Sequence, residues 1–192
     1  MRNAEASREA ILNAAMEEFS AFGIAGARVD RIAKTAGCNK NLIYIYFGNK
    51  ETLFTTVLEK NLEYAFEVGT FNAEDLSGFA SGVFDFAMAH PKVMRLLMWF
   101  TLEQNSLNLR DRDVLHDKKL QKILEAQNTG KISAALPANF LLTAMMSIAT
   151  AYSAVNPFGP SLDPDALKDL EALKTSVAKA VTLLAAPNSP QR

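Results

Sequence analysis

Cysteine and histidine are scarce in this 192-residue chain, which has one cysteine and two histidines. A single cysteine, Cys38, excludes an internal disulfide framework and fits the reducing interior of a cell. Metal sites usually need several such residues at short spacing, and neither His90 nor His116 has a cysteine or a second histidine nearby. We therefore expect no metal ion and no cofactor.

Long apolar runs and catalytic motifs are also lacking. No run approaches the roughly 20 apolar residues of a membrane-spanning helix, and the first residues do not gather into a signal peptide. No phosphate-binding glycine loop, dinucleotide-binding motif or nucleophile elbow is present. The net charge of −1 argues against a general binder of polyanions. These absences predict a cytoplasmic protein that is not an enzyme.

Apolar residues recur at helical spacing along almost the whole chain, and no alternating strand pattern is found. Gly23 and Gly37 mark helix ends, and Asp163 followed by Pro164 marks the start of the last helix. The pattern therefore predicts an all-α protein. Its expected helices, about nine in number, are 7–22, 29–36, 40–47, 50–66, 75–89, 91–104, 111–128, 137–154 and 163–185.

Residues 28–54 contain two short helices separated by a tight turn. In the first helix Val29 and Ile32 begin one apolar stripe, and Gly37 ends the helix. Asn39 then has the side chain to cap the second helix. Two short helices across a turn that contains glycine form a helix-turn-helix, whose second helix enters a DNA major groove.

Positive charge is concentrated on this same unit. Between residues 28 and 50 there are five basic side chains against one acidic one, Asp30, an excess of four. A charge cluster is usually only a solvated face, but its coincidence with a helix-turn-helix favours a local nucleic-acid-binding face. The basic residues are Arg28, Arg31, Lys34, Lys40 and Lys50.

Residues 32–37 read IAKTAG and residues 39–54 read NKNLIYIYFGNKETLF. This stretch resembles the TetR family of transcriptional regulators. The resemblance implies an N-terminal three-helix helix-turn-helix DNA-binding domain, residues 1–50, and a C-terminal helical ligand-binding and dimerisation domain, residues 51–192. It further implies a homodimeric repressor that a small, largely apolar ligand releases from a palindromic operator.

The resemblance also assigns the DNA contacts. Lys40 and Asn41 match positions that face base edges, where lysine suits guanine and asparagine suits adenine. Positions that match phosphate contacts are Arg28, Tyr44, Tyr46 and Lys50. Arg28 departs from the family, which often has a capping threonine there, and Ile45 replaces a residue that is often polar or aromatic. The complete predicted set is Arg28, Asn39, Lys40, Asn41, Tyr44, Ile45, Tyr46 and Lys50.

The two most apolar segments, 91–104 and 137–154, predict either a ligand cavity or a packed core in the second domain. A small-molecule pocket has mostly apolar walls with a few polar groups, and Glu103 supplies a polar anchor one turn beyond Trp99. The predicted ligand contacts are Met98, Trp99, Phe100, Glu103, Met145 and Tyr152.

The last predicted helix has apolar residues at alternating spacings of three and four, the pattern of a helix–helix seam. We predict that this seam joins two copies of the chain, although the same pattern can pack on its own domain. The seam consists of Leu170, Leu173, Val177, Ala180 and Leu184.

Two other functions fit the same sequence. One is a regulator of the same fold that no ligand releases, acting as an activator or through a protein partner. The other is a helical protein that binds or carries a small molecule and has a vestigial helix-turn-helix. Specific retention of a DNA fragment at physiological salt separates both kinds of regulator from the carrier.

Overall fold

Every regular element is a helix in residues 2–67, 71–103 and 110–187, which the computed structural model describes. The all-α prediction is confirmed, with ten α-helices and one 3₁₀ helix in these residues. The elements are α1 (Arg2–Gly26), α2 (Val29–Ala36), α3 (Lys40–Phe47), α4 (Lys50–Glu67), α5 (Leu76–Ala89), α6 (Pro91–Leu102), α7 (Arg110–Asn128), α8 (Ala138–Ala149), α9 (Gly159–Leu162), the 3₁₀ helix (Ala166–Lys168) and α10 (Leu170–Ala185). None of the described helices is both long enough and apolar enough to cross a membrane.

The chain divides into two compact units, and α6 lies in the first. That unit consists of α1, α2, α3, α4 as far as Tyr64, and α6, while the second unit contains the end of α4 and the remaining helices. The helix α6 therefore comes between α5 and α7 in the sequence but packs with the N-terminal helices. The functional division at residue 50 stays a prediction, and it did not anticipate this place for α6.

A break at Gly23 interrupts α1. Gly23 has φ 68° and ψ −174°, a backbone conformation that residues with a Cβ rarely adopt. The sequence-based end of the first helix at Gly23 is confirmed, but one further helical turn follows before α2 begins at Val29. The break therefore separates the long part of α1 from a short turn that leads directly into the helix-turn-helix.

The core of the first unit is built on Phe19 and Phe54, whose rings meet edge to face with centroids 5.2 Å apart. Burial of each such side chain stabilises the fold by about 1.5 to 3 kcal/mol. Phe22, which helical spacing places on the same face, is 49% exposed instead. The guanidinium of Arg31 covers its ring, with Cζ 4.4 Å from the centroid, so the inward packing that helical spacing predicts for Phe22 is wrong. The other fully buried large side chains of this unit are Ile11, Ile32, Ile43, Leu53, Leu58 and Leu96.

The helix α6 is only partly buried, although its sequence is apolar on nearly all sides. Val93, Met94 and Leu96 are buried, but Met98 is 37% exposed and Leu102 is 62% exposed. A helix that is apolar on nearly all sides is predicted to lie wholly in the interior, and for α6 this prediction is wrong. A helix that faces its neighbours on one side needs only one apolar stripe for packing.

The core of the second unit brings together α5, α7, α8 and α10. Its α10 begins later than the sequence suggested, because Asp169 rather than Asp163 caps it, accepting a hydrogen bond from the Ala172 N–H at 3.0 Å. Asp163 Oδ1 instead accepts the Ala166 N–H at 3.1 Å, at the start of the 3₁₀ helix. The predicted start at residue 163 is therefore wrong, and α8 is likewise shorter than its predicted span. Buried members of this core include Leu76, Ala80, Phe84, Ile123, Leu141, Met145, Val177 and Val181.

Candidate nucleic-acid interface

The turn between α2 and α3 is closed by backbone hydrogen bonds around Gly37. This glycine has φ 66° and ψ 31°, the left-handed conformation that ends many helices, and the Cys38 N–H donates to the Ala33 carbonyl at 3.0 Å. Asn39 Oδ1 then accepts the Asn41 N–H at 2.9 Å and so caps α3. Both sequence-based assignments, Gly37 as the end of α2 and Asn39 as the cap of α3, are confirmed.

One side of α3 is buried and the other faces solvent. Ile43 and Phe47 pack inward, while Lys40, Asn41, Tyr44 and Ile45 are exposed. Their positions, i, i+1, i+4 and i+5, place them together on one face of a helix. Ile45 is 76% exposed, which is unusual for a branched apolar side chain and leaves it available to a partner.

Two predicted phosphate contacts, Tyr46 and Lys50, bond to neighbouring backbone. The Tyr46 hydroxyl donates to the Ala4 carbonyl at 3.3 Å. Lys50 Nζ donates to the Ala27 carbonyl, also at 3.3 Å. These bonds join α3 to α1 and the start of α4 to the residues before α2. Arg28 and Tyr44, the other two predicted phosphate contacts, are exposed.

The N-terminus of α2 is held by Glu18, a residue that the sequence did not single out. Glu18 is 8% exposed, and its Oε1 accepts the Arg28 N–H and the Arg31 Nε–H, each at 2.8 Å. Burial opposes ionisation, but these hydrogen bonds and the Arg31 charge outweigh it and hold the pKa of Glu18 below its usual value. Glu18 thus does for α2 what a capping side chain at position 28 would do, since the Arg28 side chain caps nothing. The only hint of this role in the sequence is that position 28 lacks a side chain that could cap α2.

An ion pair crosses the solvent-facing side of the helix-turn-helix. Lys40 Nζ lies 2.8 Å from Asp30 Oδ1, with both side chains exposed. This hydrogen bond, together with the opposite charge, raises the pKa of Lys40 and lowers that of Asp30. Asp30, the one acidic residue between positions 28 and 50, therefore restrains Lys40, the first residue of α3.

The predicted ligand contacts divide between the two units. Four lie on the first unit: Met98, Trp99, Phe100 and Glu103. Trp99 Nε1 donates to the Ser20 carbonyl at 3.3 Å, and the Glu103 carboxylate accepts backbone N–H groups near Gly23. The other two, Met145 and Tyr152, lie on the second unit, the former fully buried and the latter half-buried.

The predicted seam of α10 faces its own unit in part. Val177 is 5% exposed and belongs to the core of the second unit, with Leu173 and Leu184 packed partly against it. Ala180 is half-buried, and Leu170 is 42% exposed. At Val177, at least, the alternating spacing of three and four residues therefore serves packing within the chain.

Comparisons with known proteins agree with a helix-turn-helix that is followed by a helical C-terminal region. Residues 11–57 match the family model for bacterial regulatory proteins of the tetR family, and residues 75–182 match the model for a tetracyclin repressor-like C-terminal domain. The chain belongs to the TetR family. It is therefore a DNA-binding transcriptional regulator, as the resemblance of residues 32–54 implied.

Individual relatives match most of the chain. The HTH-type transcriptional repressor SCO4008 of Streptomyces coelicolor is 40% identical over 152 residues, 77% of this chain and 79% of that protein. The HTH-type transcriptional repressor NicS of Pseudomonas putida is 30% identical over 129 residues, 64% of this chain and 57% of that protein. The crystal structure of SCO4942 from Streptomyces coelicolor, 32% identical, superposes with a TM-score of 0.82 over 95% of this chain and 99% of that one.

Replacing Asp30 by Asn should increase affinity for all DNA sequences, because it releases Lys40 and removes an anion from the predicted DNA-binding face. We expect the logarithm of the binding constant to fall more steeply with the logarithm of salt concentration, by roughly one unit of slope. Fluorescence anisotropy with labelled duplexes over a salt series measures both quantities. The same change in a Lys40→Ala background is the control. An equal gain in that background would show that Asp30 acts by its charge alone and not through Lys40.

Proposed function

We propose that this TetR-family protein is a homodimeric repressor that binds a palindromic operator and is released from it by a small, largely apolar ligand. The named relatives SCO4008 and NicS are transcriptional repressors, which supports repression. The single observation that carries the DNA-reading part is the exposed face of α3, presented by a helix whose opposite side is buried and whose ends are capped.

The chemistry of this face supports reading of bases as well as of backbone. The ammonium of Lys40 suits the two acceptors of guanine, and the amide of Asn41 suits adenine. Ile45 offers an apolar surface that suits a thymine methyl group. Tyr44 and Arg28 are the exposed candidates for phosphate contacts, because Tyr46 and Lys50 already bond to backbone carbonyls.

A second copy is needed because α3 is short. Its eight residues extend about 12 Å, which covers only a few base pairs. Two copies related by a two-fold axis would instead read half-sites about 34 to 36 Å apart. The side chains that support such pairing are Phe140 on α8, which is 58% exposed, and Leu183 on α10, which is 70% exposed. We place the dimer contact on this exposed side of α8 and α10, while Val177 serves the core.

The ligand-binding part is supported by a buried polar group in the second unit. Ser153 is 1% exposed, and its buried hydroxyl has no hydrogen-bond partner among the described residues. An unsatisfied buried hydroxyl costs about 1 to 3 kcal/mol, and a water or a polar atom of a ligand would remove that cost. Tyr152 precedes it in the sequence and is half-buried. We infer that the ligand is mostly apolar and carries a polar group that bonds to Ser153.

Selection of bound fragments from sheared DNA of the source organism tests the DNA-reading role. The wild-type protein should enrich fragments that share a palindrome at physiological salt. Lys40→Ala should lose roughly 1 to 3 kcal/mol of binding free energy and relax the preference at one base pair per half-site. Lys34→Ala, which removes the same charge from an exposed position on α2, should weaken all fragments alike. A wild type that enriches nothing would support the carrier, and equal uniform losses in both variants would remove Lys40 from base reading.

The dimer contact is tested by comparing Leu183→Glu with Val177→Glu. Sedimentation velocity measures the oligomeric state, and thermal unfolding measures whether the variant is folded. Leu183→Glu should remain folded and become monomeric at micromolar concentration, because it places a charge on an exposed surface that pairs with a second copy. Val177→Glu should lose its cooperative thermal transition, because it buries an unpaired carboxylate in the core. A Leu183→Glu variant that is still dimeric would exclude this side of α10 from the interface.

A further inference from the structure

Side chains of α6 replace a hydrogen bond that α1 loses at its break. In an unbroken helix the Ser20 carbonyl would accept the N–H of Ile24, four residues later. Here the Ser20 carbonyl accepts Arg95 Nε–H at 2.7 Å and Trp99 Nε1–H at 3.3 Å. The Ile24 N–H donates instead to Glu103 Oε1 at 2.8 Å. Both halves of the missing bond are thus satisfied from α6 and its C-cap, Glu103.

Both oxygens of the Glu103 carboxylate are used at this point. The Ala25 N–H donates to Oε2 at 3.1 Å and to Oε1 at 3.2 Å, in addition to the bond from Ile24. The contact is so close that a Cβ on Gly23 would clash with Glu103 Oε1 and lie 2.8 Å from Trp99 Cε3. Only glycine at position 23 therefore leaves room for Glu103 and Trp99 to approach α1 this closely.

The turn that Glu103 holds leads directly to the DNA-reading helices. Its last carbonyls bind cationic side chains, Gly26 accepting from Arg31 at 3.1 Å and Ala27 from Lys50 at 3.3 Å. The next residue, Arg28, is the N-cap of α2. A shift of the turn would consequently move both the start of α2 and the side chains that hold it.

We propose that α6 helps to orient the helix-turn-helix toward DNA and that Glu103 is a positioning residue for operator binding. Glu103 fixes the turn before α2 and so fixes the orientation of α2 and α3 toward DNA. The inference rests on the proposed DNA-reading function and adds to it a side chain that does not touch DNA.

Operator affinity of the full-length Glu103→Gln protein tests this proposal. Glutamine keeps the size of the side chain, but it removes the charge that strengthens these bonds and puts an NH2 donor in place of one acceptor oxygen, such as the Oε2 that faces the Ala25 N–H at 3.1 Å. We expect the dissociation constant to rise about tenfold or more, as for loss of hydrogen bonds to a charged group. The measurement uses the selected operator, well below the unfolding midpoint, with the active fraction titrated separately. A positioning role leaves the active fraction unchanged, whereas partial misfolding lowers it.

Lys92→Gln is the matched control, because Lys92 forms an exposed ion pair with Glu17 at 2.5 Å between the same two helices. It should leave operator affinity unchanged, as exposed pairs contribute little. Wild-type affinity in Glu103→Gln, or an equal loss in both variants, would overturn the assignment of Glu103. Should Glu103→Gln fail to fold, Glu103→Asp, which keeps the charge but withdraws the carboxylate from the Ile24 and Ala25 N–H groups by one methylene, must still weaken binding; unchanged affinity there also overturns it. A wild type that selects no operator contradicts the proposed function and this inference together.

Discussion

Two carboxylates hold the turn between α1 and α2, and the proposed DNA-reading face depends on the bonds that they accept. Glu103 accepts the N–H groups of Ile24 and Ala25, and Glu18 accepts the N–H of Arg28. Each carboxylate replaces a partner that the backbone lacks locally: a helical carbonyl at the Gly23 break and a capping side chain at position 28. Without these acceptors the turn would expose several unpaired N–H groups at the point where α2 begins.

These hydrogen bonds contribute more to the stability of the fold than the surface ion pairs do. A hydrogen bond to a charged group contributes about 1.5 to 3 kcal/mol, while an exposed ion pair contributes about 0 to 1 kcal/mol. The pair between Asp30 and Lys40 is of the second kind, so it directs a side chain more than it stabilises the fold. On these magnitudes Glu18 and Glu103 contribute more to holding the start of α2 than the Asp30–Lys40 pair does, and Asp30 adjusts the charge on the outer face of α2 and α3.

Structural features that depend on a few neighbouring residues are predicted well from the sequence. Gly37 as a helix end, Asn39 as a cap and the exposed face of α3 all follow from spacing and capping chemistry, and the family resemblance adds the function. Contacts between distant residues were not predicted, because periodicity does not say which helix a side chain meets. Glu103 lies 79 positions from Ile24 in the sequence. Val177 fits a seam by spacing, but its neighbours in the core come from the same chain.

Hydrogen exchange of individual amides, followed by NMR in the wild-type protein without DNA, tests the central claim most directly. If Glu103 and Glu18 hold the turn, the amides of Ile24, Ala25 and Arg28 exchange as slowly as amides in the interior of α2. Ala25 and Arg28 are exposed, so simple burial does not protect them. Exchange of these three amides at the rates of unpaired, solvent-exposed groups would contradict the account.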